Sequence, residues 1–366
     1  MPESRQALKL ALLDFIERGQ GRFEALALRL FAYQHRHNPA YRAHCERRGA
    51  SPDRVARWTE IPTVPTDVFR HVPLFCGQPS EATVVFRTSG TTSGRRGEHH
   101  LRSLTVYHAS ALRAIDTFLL PDGPHRPALM LAPPPEALPD SSLSSMLGLI
   151  ARERAPDALF AWNDDGLDLP GALNWLTDAS RRDAPVLLLA TSFALVKLFD
   201  AMPHQRLTLP PGSIMMPTGG TKGRTREVTA AEIEALAEER LGVAADHVVS
   251  EYGMTELGSQ FYDPRLAEAL ARKDASPASD SPRLSGPPWC RVTVHDPLTL
   301  AEVPLGEPGL LRFTDLSNLD SVCSVQTSDR GRLLRSTPQG DTLTLLGRQA
   351  GARPRGCSLL IEEMLT

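Results

Sequence analysis

Lysine is nearly missing from this chain of 366 residues: of its 40 basic side chains only Lys9, Lys197, Lys222 and Lys273 are lysines, and none follows position 273. Chemistry that needs an ammonium group therefore has four candidates, and the remaining cationic work falls to arginine, a planar fork of donors rather than a point charge. Cysteine is also scarce. Cys45, Cys76, Cys290, Cys323 and Cys357 are widely separated, odd in number and form no CxxC pair, which excludes a disulfide framework or a zinc knuckle and fits a reducing, cytoplasmic setting. Long apolar runs are absent as well. Residues 186–199 are interrupted by Thr191, Ser192 and Lys197, well short of the ~18 apolar residues that a membrane span needs. Near the N-terminus, Asp14 and Glu17 stand where a signal peptide would carry small uncharged residues, so an amphipathic helix is expected there. Nor is there an excess of one charge. The net charge of −3 excludes the overall basic field of a protein that coats nucleic acid or an anionic membrane, so any anion must be met locally.

What is present is enough for a large core: 41% hydrophobic residues and 23% charged ones, in a length that suggests two structural units at roughly 150 residues each. Leu8, Leu12, Phe15 and Ile16, then Phe23, Leu26, Leu30 and Phe31, recur at helical spacing, so two helices are expected within residues 1–50, closed by Pro39 and the turn at 49–52. Over 51–264, apolar runs at 82–86, 128–132, 186–190, 214–216 and 248–250 alternate with helical patterns at 104–119 and 142–154. Thr229 and Glu232 have capping-box spacing ahead of a further helix. That alternation predicts an α/β core. Turn-rich segments and β-like runs follow over 265–346, predicting a smaller β-rich subregion of the same domain, and 347–366 is expected to be a short tail. His35 and His37 lack a third nearby ligand, so no metal site is expected at them.

The chemistry concentrates in a few motifs. Directly after the run at 82–86 comes RTSGTTSGRRG, residues 87–97. Gly90, Gly94 and Gly97 allow tight turning and close approach. Thr88, Ser89, Thr91, Thr92 and Ser93 offer hydroxyls and amides to phosphate oxygens, and Arg95 and Arg96 add charge-assisted donors. The spacing is not that of a Walker loop, which needs GxxxxGK[ST]. Composition alone equally suits a polar hairpin with two solvated arginines. A second group, PTGGTKGR at 217–224 and EYGMTE at 251–256, follows two successive apolar runs, at the strand ends where open α/β sheets bind ligands. TSDRG at 327–331 and Gly347-Arg348 complete the series.

Together these motifs resemble the adenylate-forming superfamily of acyl-CoA synthetases and peptide-synthetase adenylation domains. Within it, TSGTTSGRRG and the terminal RGCSLLIEE resemble the acyl-protein synthetase family, the fatty-acid-activating component of the bacterial bioluminescence reductase and its relatives. The resemblance spans about residues 60–366. It implies the α/β fold of that superfamily's large N-terminal domain, with layered sheets and helices. It also implies ATP and Mg²⁺ as cofactors, a carboxylic acid as substrate, and an acyl-accepting partner protein such as a reductase or acyltransferase. In that reading Ser89 to Gly97 cradle the β- and γ-phosphates, Glu256 holds Mg²⁺ and Thr255 touches the α-phosphate. Gly219 and Gly220 pack against adenine, Tyr252 stacks on its other face, Asp329 accepts from the ribose hydroxyls, and Arg348 supports the nucleotide. Without the resemblance, Glu256 reads equally as an acid at a helix start and Tyr252 as a core aromatic.

Two departures matter. Arg95 and Arg96 stand where the superfamily's loop ends in a proline and a lysine, which keeps the charge and changes its geometry. The superfamily's mobile C-terminal domain brings a lysine to the carboxylate, whereas here 19 residues follow Gly347 and none is lysine. The expected acceptor is therefore Cys357, a thiol flanked by Arg353 and Arg355 that favour its thiolate; the other four cysteines read as core residues. Cys357 also reads as a tail residue of no consequence. His99 and His100, just beyond the loop, are open to orienting the carboxylate, binding phosphate or merely lining a strand edge. Three functions stay open: self-acylation from acyl-AMP, a coenzyme A or amide-forming ligase with Cys357 incidental, and a non-catalytic nucleotide-binding subunit.

Overall fold

A computed structural model describes residues 3–89, 94–123, 125–219, 228–272 and 282–349. The chain divides into two compact units that are not contiguous in sequence: residues 1–113, 254–260 and 285–366 form one, and 114–253 with 261–284 the other. The sequence-based divisions after residues 50 and 264 do not coincide with these boundaries. Helices packing on a sheet are long-range partners, and linear composition does not report which sheet they join.

The second unit is the α/β element. Its strands run in the order Leu159–Phe160, Ala128–Leu131, Leu187–Thr191, Ile214–Thr218 and Glu251–Tyr252, all parallel, with Phe261–Tyr262 antiparallel beyond them. Parallel strands covered on both faces should be continuously apolar. Accordingly Ala128 to Leu131 and Leu187 to Ala190 are fully buried, each large side chain contributing about 1.5–3 kcal/mol. Helices Ser142–Glu153, Leu169–Ala179, Ser192–Asp200 and Ala230–Leu241 form the connections. The expected capping box is present, with Thr229 Oγ1 accepting from the Glu232 amide at 3.2 Å and Glu232 accepting from the Thr229 amide at 2.7 Å. The run at 248–250 contributes only a bridge between Met215 and Val248; the strand proper begins at Glu251.

In the first unit, residues before 50 form three helices instead of two: Arg5–Arg18, Phe23–His37 and Pro39–Arg47. Pro39 opens the third rather than closing the second, because the Asn38 side chain caps it by accepting from the Tyr41 amide at 3.1 Å and a proline at the first helical position has no amide to satisfy. The β-rich subregion is an antiparallel meander of Cys290–His295, Pro308–Asp315, Ser324–Thr337 and Gly340–Arg348, with Val64–Pro65 parallel to the third strand. The TSDRG motif lies inside that 14-residue third strand. Gly331 is required there by close approach, since a Cβ would stand 2.4 Å from the Thr344 carbonyl oxygen.

Candidate active site

Strands Val84–Arg87 and Glu98–Leu101 pair antiparallel, which makes the Ser/Thr/Gly stretch the loop of a hairpin on the first unit. Its base is closed twice: the Thr88 amide donates to the Gly97 carbonyl at 3.0 Å, and the Gly97 amide to Thr88 Oγ1 at 2.9 Å. Ser89 and Arg95 are exposed, and Gly94 has φ of 75°. Arg96 turns inward, donating from Nε to the Thr88 carbonyl at 2.6 Å and from Nη2 to the Arg87 carbonyl at 3.0 Å. Its guanidinium thus braces the loop's own base, and Arg95 is the exposed cation of the pair. Gly90, Thr91, Thr92 and Ser93 lie outside the described residues.

Thr255 and Glu256 belong to the same unit and sit in a turn, with the Leu257 amide donating to the Met254 carbonyl at 3.1 Å. Glu256 is therefore not an acid at a helix start. It is 8% exposed, and burial pushes its carboxyl up to about 7. The charges of Arg70 and Arg348 act against the rise, while Asp329 adds to it. A buried carboxyl facing cations is poised between its two protonation states at neutral pH, so a ligand that adds positive charge would ionise it. The turn is held by its neighbours. Asp315, fully buried, accepts from the amides of Gly258, Ser259 and Ser317 and from the hydroxyls of Ser259 and Ser317, at 2.5–2.9 Å.

Asp329 and Arg348 are brought together on the same unit. They face each other across adjacent strands, and Arg348 Nε donates to Asp329 Oδ1 at 3.1 Å. The arginine is largely exposed and the aspartate largely covered, so the pair presents one carboxylate oriented by a cation. Arg70, on the short helical turn Thr66–Arg70, adds a second cation to the field at Glu256. Among the described residues no three His, Cys, Asp or Glu side chains gather as a metal cage.

On the second unit, Thr218 and Glu251 pair across adjacent parallel strands, and Thr218 Oγ1 donates to the Glu251 carboxyl. Burial pushes Glu251 up to about 7, with the Thr218 hydrogen bond opposing. Gly219 follows with φ of 66°, and its carbonyl accepts from Ser192 Oγ at 2.6 Å. Among the described residues nothing lies within 4 Å of where a Gly219 Cβ would be, so the glycine serves the left-handed turn. Tyr252 is half-buried, its ring edge-on to Phe261 with centroids 6.5 Å apart. Gly220 and Cys357 lie outside the described residues.

His99 does not suit anion binding. Its Nδ1 lies 2.7 Å from the Thr255 carbonyl oxygen, a contact that assigns the proton to Nδ1 and leaves Nε2 a lone-pair acceptor. Burial holds the ring down to about 4, hence neutral at pH 7. His100 is likewise lowered by burial and stands 3.6 Å from Glu98 Oε2. Sequence reasoning missed Arg70, Glu251, Ser192 and Asp315. Only Glu251 had a local signal, a carboxylate directly before the motif tyrosine in an otherwise apolar strand approach; the others act through the fold.

No family model matches the chain. A curated relative, the long-chain-fatty-acid–luciferin-component ligase of Vibrio harveyi, is 21% identical over 343 residues, covering 92% of this chain and 86% of that protein. The resemblance read from the motifs is borne out by that match. Among solved structures, 2-hydroxyisobutyryl-CoA ligase in an open conformation with 2-HIB-AMP and CoA has a TM-score of 0.61 at 16% identity, covering 94% of this chain and 73% of that one. The same ligase in its postadenylation state with 2-HIB-AMP has a TM-score of 0.63 at 16% identity, covering 89% and 67%. The α/β fold is thus that of the adenylate-forming ligases.

Proposed function

We propose that this chain is an adenylate-forming ligase that activates a carboxylic acid, of the fatty or a related class, with ATP and then carries the acyl group on Cys357. The observation that carries the reading is the buried Glu256 carboxyl, poised near neutrality in the field of Arg70, Arg348 and Asp329. That is an arrangement suited to a phosphate-bearing ligand that arrives with a divalent cation and needless in a purely structural subunit.

In the first step a substrate carboxylate oxygen attacks the α-phosphorus, the bond to the bridging oxygen of pyrophosphate breaks, and pyrophosphate leaves with the electron pair. A Mg²⁺ ion would neutralise charge on the phosphates during that displacement. The donor set fits it. Glu256 supplies one hard oxygen ligand, and the lack of a protein cage among the described residues suits an ion that keeps waters and phosphate oxygens as its remaining ligands. In this reading the hairpin loop from Ser89 to Gly97 holds the β- and γ-phosphates and Thr255 the α-phosphate. Asp329, oriented by Arg348, accepts from the ribose hydroxyls, while Gly219, Gly220 and Tyr252 hold adenine. In the second step the Cys357 thiolate attacks the acyl carbon, the carbon–oxygen bond to AMP breaks, and AMP departs.

The name of the Vibrio harveyi relative favours a long-chain acid and a partner protein, such as a reductase, as the final acceptor. Cysteine usage supports a cytoplasmic site of action, and no described helix is long and apolar enough to cross a membrane. A second reading, direct transfer to coenzyme A, is favoured by the likeness to a ligase solved with CoA. Intact-mass measurement after incubation with ATP, Mg²⁺ and a panel of acids separates the two. A hydroxylamine-labile acyl adduct that Cys357→Ser abolishes supports self-acylation. An unmodified protein with acylated coenzyme A in solution supports the second reading.

A further inference from the structure

The turn that carries Thr255 and Glu256 has two carbonyls that no strand or helix satisfies, and each is taken by a buried side chain from a different part of the first unit. His99, 2% exposed on the strand Glu98–Leu101, donates from Nδ1 to the Thr255 carbonyl at 2.7 Å. Asn318, fully buried, donates from Nδ2 to the Glu256 carbonyl at 2.9 Å and to the Val322 carbonyl at 3.2 Å. Asn318 is itself held. Gln34 Nε2 donates to the Asn318 carbonyl at 2.6 Å, and Gln34 Oε1 accepts from the Cys323 amide at 2.9 Å.

Packing alone does not account for these side chains. Gln34 lies on a helix face whose other buried members are Leu26, Ala27, Leu30, Phe31 and Tyr33, where an apolar residue would bury more favourably. His99 Nε2 and Asn318 Oδ1 have no hydrogen-bond partner among the described residues, so the hold on the turn runs through the Nδ1 and Nδ2 donors, and buried donors of this kind restrict the backbone they bind. Reactive groups need that restriction, because chemistry falls off when they move by about half an ångström.

We propose that His99, Asn318 and Gln34 are positioning residues for the Thr255 and Glu256 pair, fixing both peptide carbonyls so that the two side chains are held ready for the triphosphate and its metal. The inference rests on the adenylating roles given above to Thr255 and Glu256. It makes the helix Phe23–His37, which carries none of the family motifs, part of the catalytic apparatus.

The test uses the full chain with His99→Leu and Asn318→Asp, which remove the donors, Gln34→Met, which removes the support, and His99→Asn, which returns an amide donor near the place of Nδ1. Two readouts are taken: hydrogen exchange of a peptide covering 254–260, with the strand Leu187–Thr191 as internal reference, and steady-state acid-dependent pyrophosphate exchange. His99→Leu and Asn318→Asp should speed amide exchange at 254–260 about tenfold with the reference strand unchanged. Their kcat should fall about 10- to 100-fold, with KM for ATP within roughly threefold of wild type. Gln34→Met should follow in the same direction by less, and His99→Asn should recover both readouts to within roughly threefold. Unchanged protection at 254–260 would overturn the proposal, as would equal loss of protection in the reference strand or a His99→Asn variant as impaired as His99→Leu. Wild type without any acid-dependent exchange would sink the ligase reading and the catalytic part of this one, while the hydrogen-exchange arm would still decide whether the clamp exists.

Discussion

Glu251 and Glu256 belong to one hexapeptide motif, are equally buried at 8% exposure, and are both pushed up to about 7, yet they fall in different units and different surroundings. For Glu251 the force opposing burial is one hydrogen bond, donated by the Thr218 hydroxyl. Glu256 lies in the field of two arginines and an aspartate. Burial alone therefore does not mark a reactive carboxyl. At Glu251 burial is offset by a single donated hydroxyl that also ties two strand ends together, whereas at Glu256 nearby cations favour an acid that changes charge when a ligand arrives.

The comparison can be broken most severely at Asp315, which accepts five hydrogen bonds, three of them from Gly258 and Ser259 in the segment following Glu256 and two from Ser317. Asp315→Ala leaves those buried donors unsatisfied and should cost about 3–5 kcal/mol in chemical denaturation, measured as a lower midpoint. Next comes Glu251, for which the sign of the pH dependence is fixed by burial. Its folded-state value of about 7 lies above the ordinary 4.5, so its contribution is complete below about 4.5 and is lost as pH rises through about 7. Glu251→Gln keeps a hydrogen-bonding partner for Thr218 and does not ionise. Denaturation midpoints should show the variant gaining on wild type from near nothing at pH 5 to about 2–3 kcal/mol at pH 8. A gap that does not change with pH would mean that Glu251 is already ionised in the folded chain.

Asp329→Ala sharpens the functional side. Removing the carboxylate that Arg348 orients should raise KM for ATP about 10- to 50-fold with a smaller loss of kcat, measured by pyrophosphate exchange. The smallest effect is expected at Gly219, where φ is 66° and no described residue lies within 4 Å of where a Cβ would be. Gly219→Ala should cost about 1 kcal/mol from backbone strain alone, read as a modest fall in melting temperature.

Much of this was legible from residue order because it is local. The Thr229 and Glu232 capping box, the apolar runs at 128–132 and 186–190, and the hairpin around 87–97 follow from spacing of a few residues. Asp329 and Arg348 were also legible as motif members, although their ion pair depends on strand register. What escaped was non-local. Arg70 and Asp315 act on Glu256 or its turn across the fold, and the hydrogen bonds from His99 and Asn318 join residues 156 and 62 positions apart. Pro39 was misplaced for a different reason. Proline signals the end of a helix by propensity, and here the Asn38 side-chain cap makes it the first residue of the next one.

The central claim, that Glu256 and not Glu251 performs charge-bearing work in acid activation, is tested most directly by acid- and Mg²⁺-dependent exchange of pyrophosphate into ATP for wild type, Glu256→Gln and Glu251→Gln side by side. The account predicts exchange in wild type, a loss of about 100-fold or more in Glu256→Gln with its fold intact, and exchange within about tenfold of wild type in Glu251→Gln. Near-normal exchange in Glu256→Gln, or an equal loss in both variants, would contradict it.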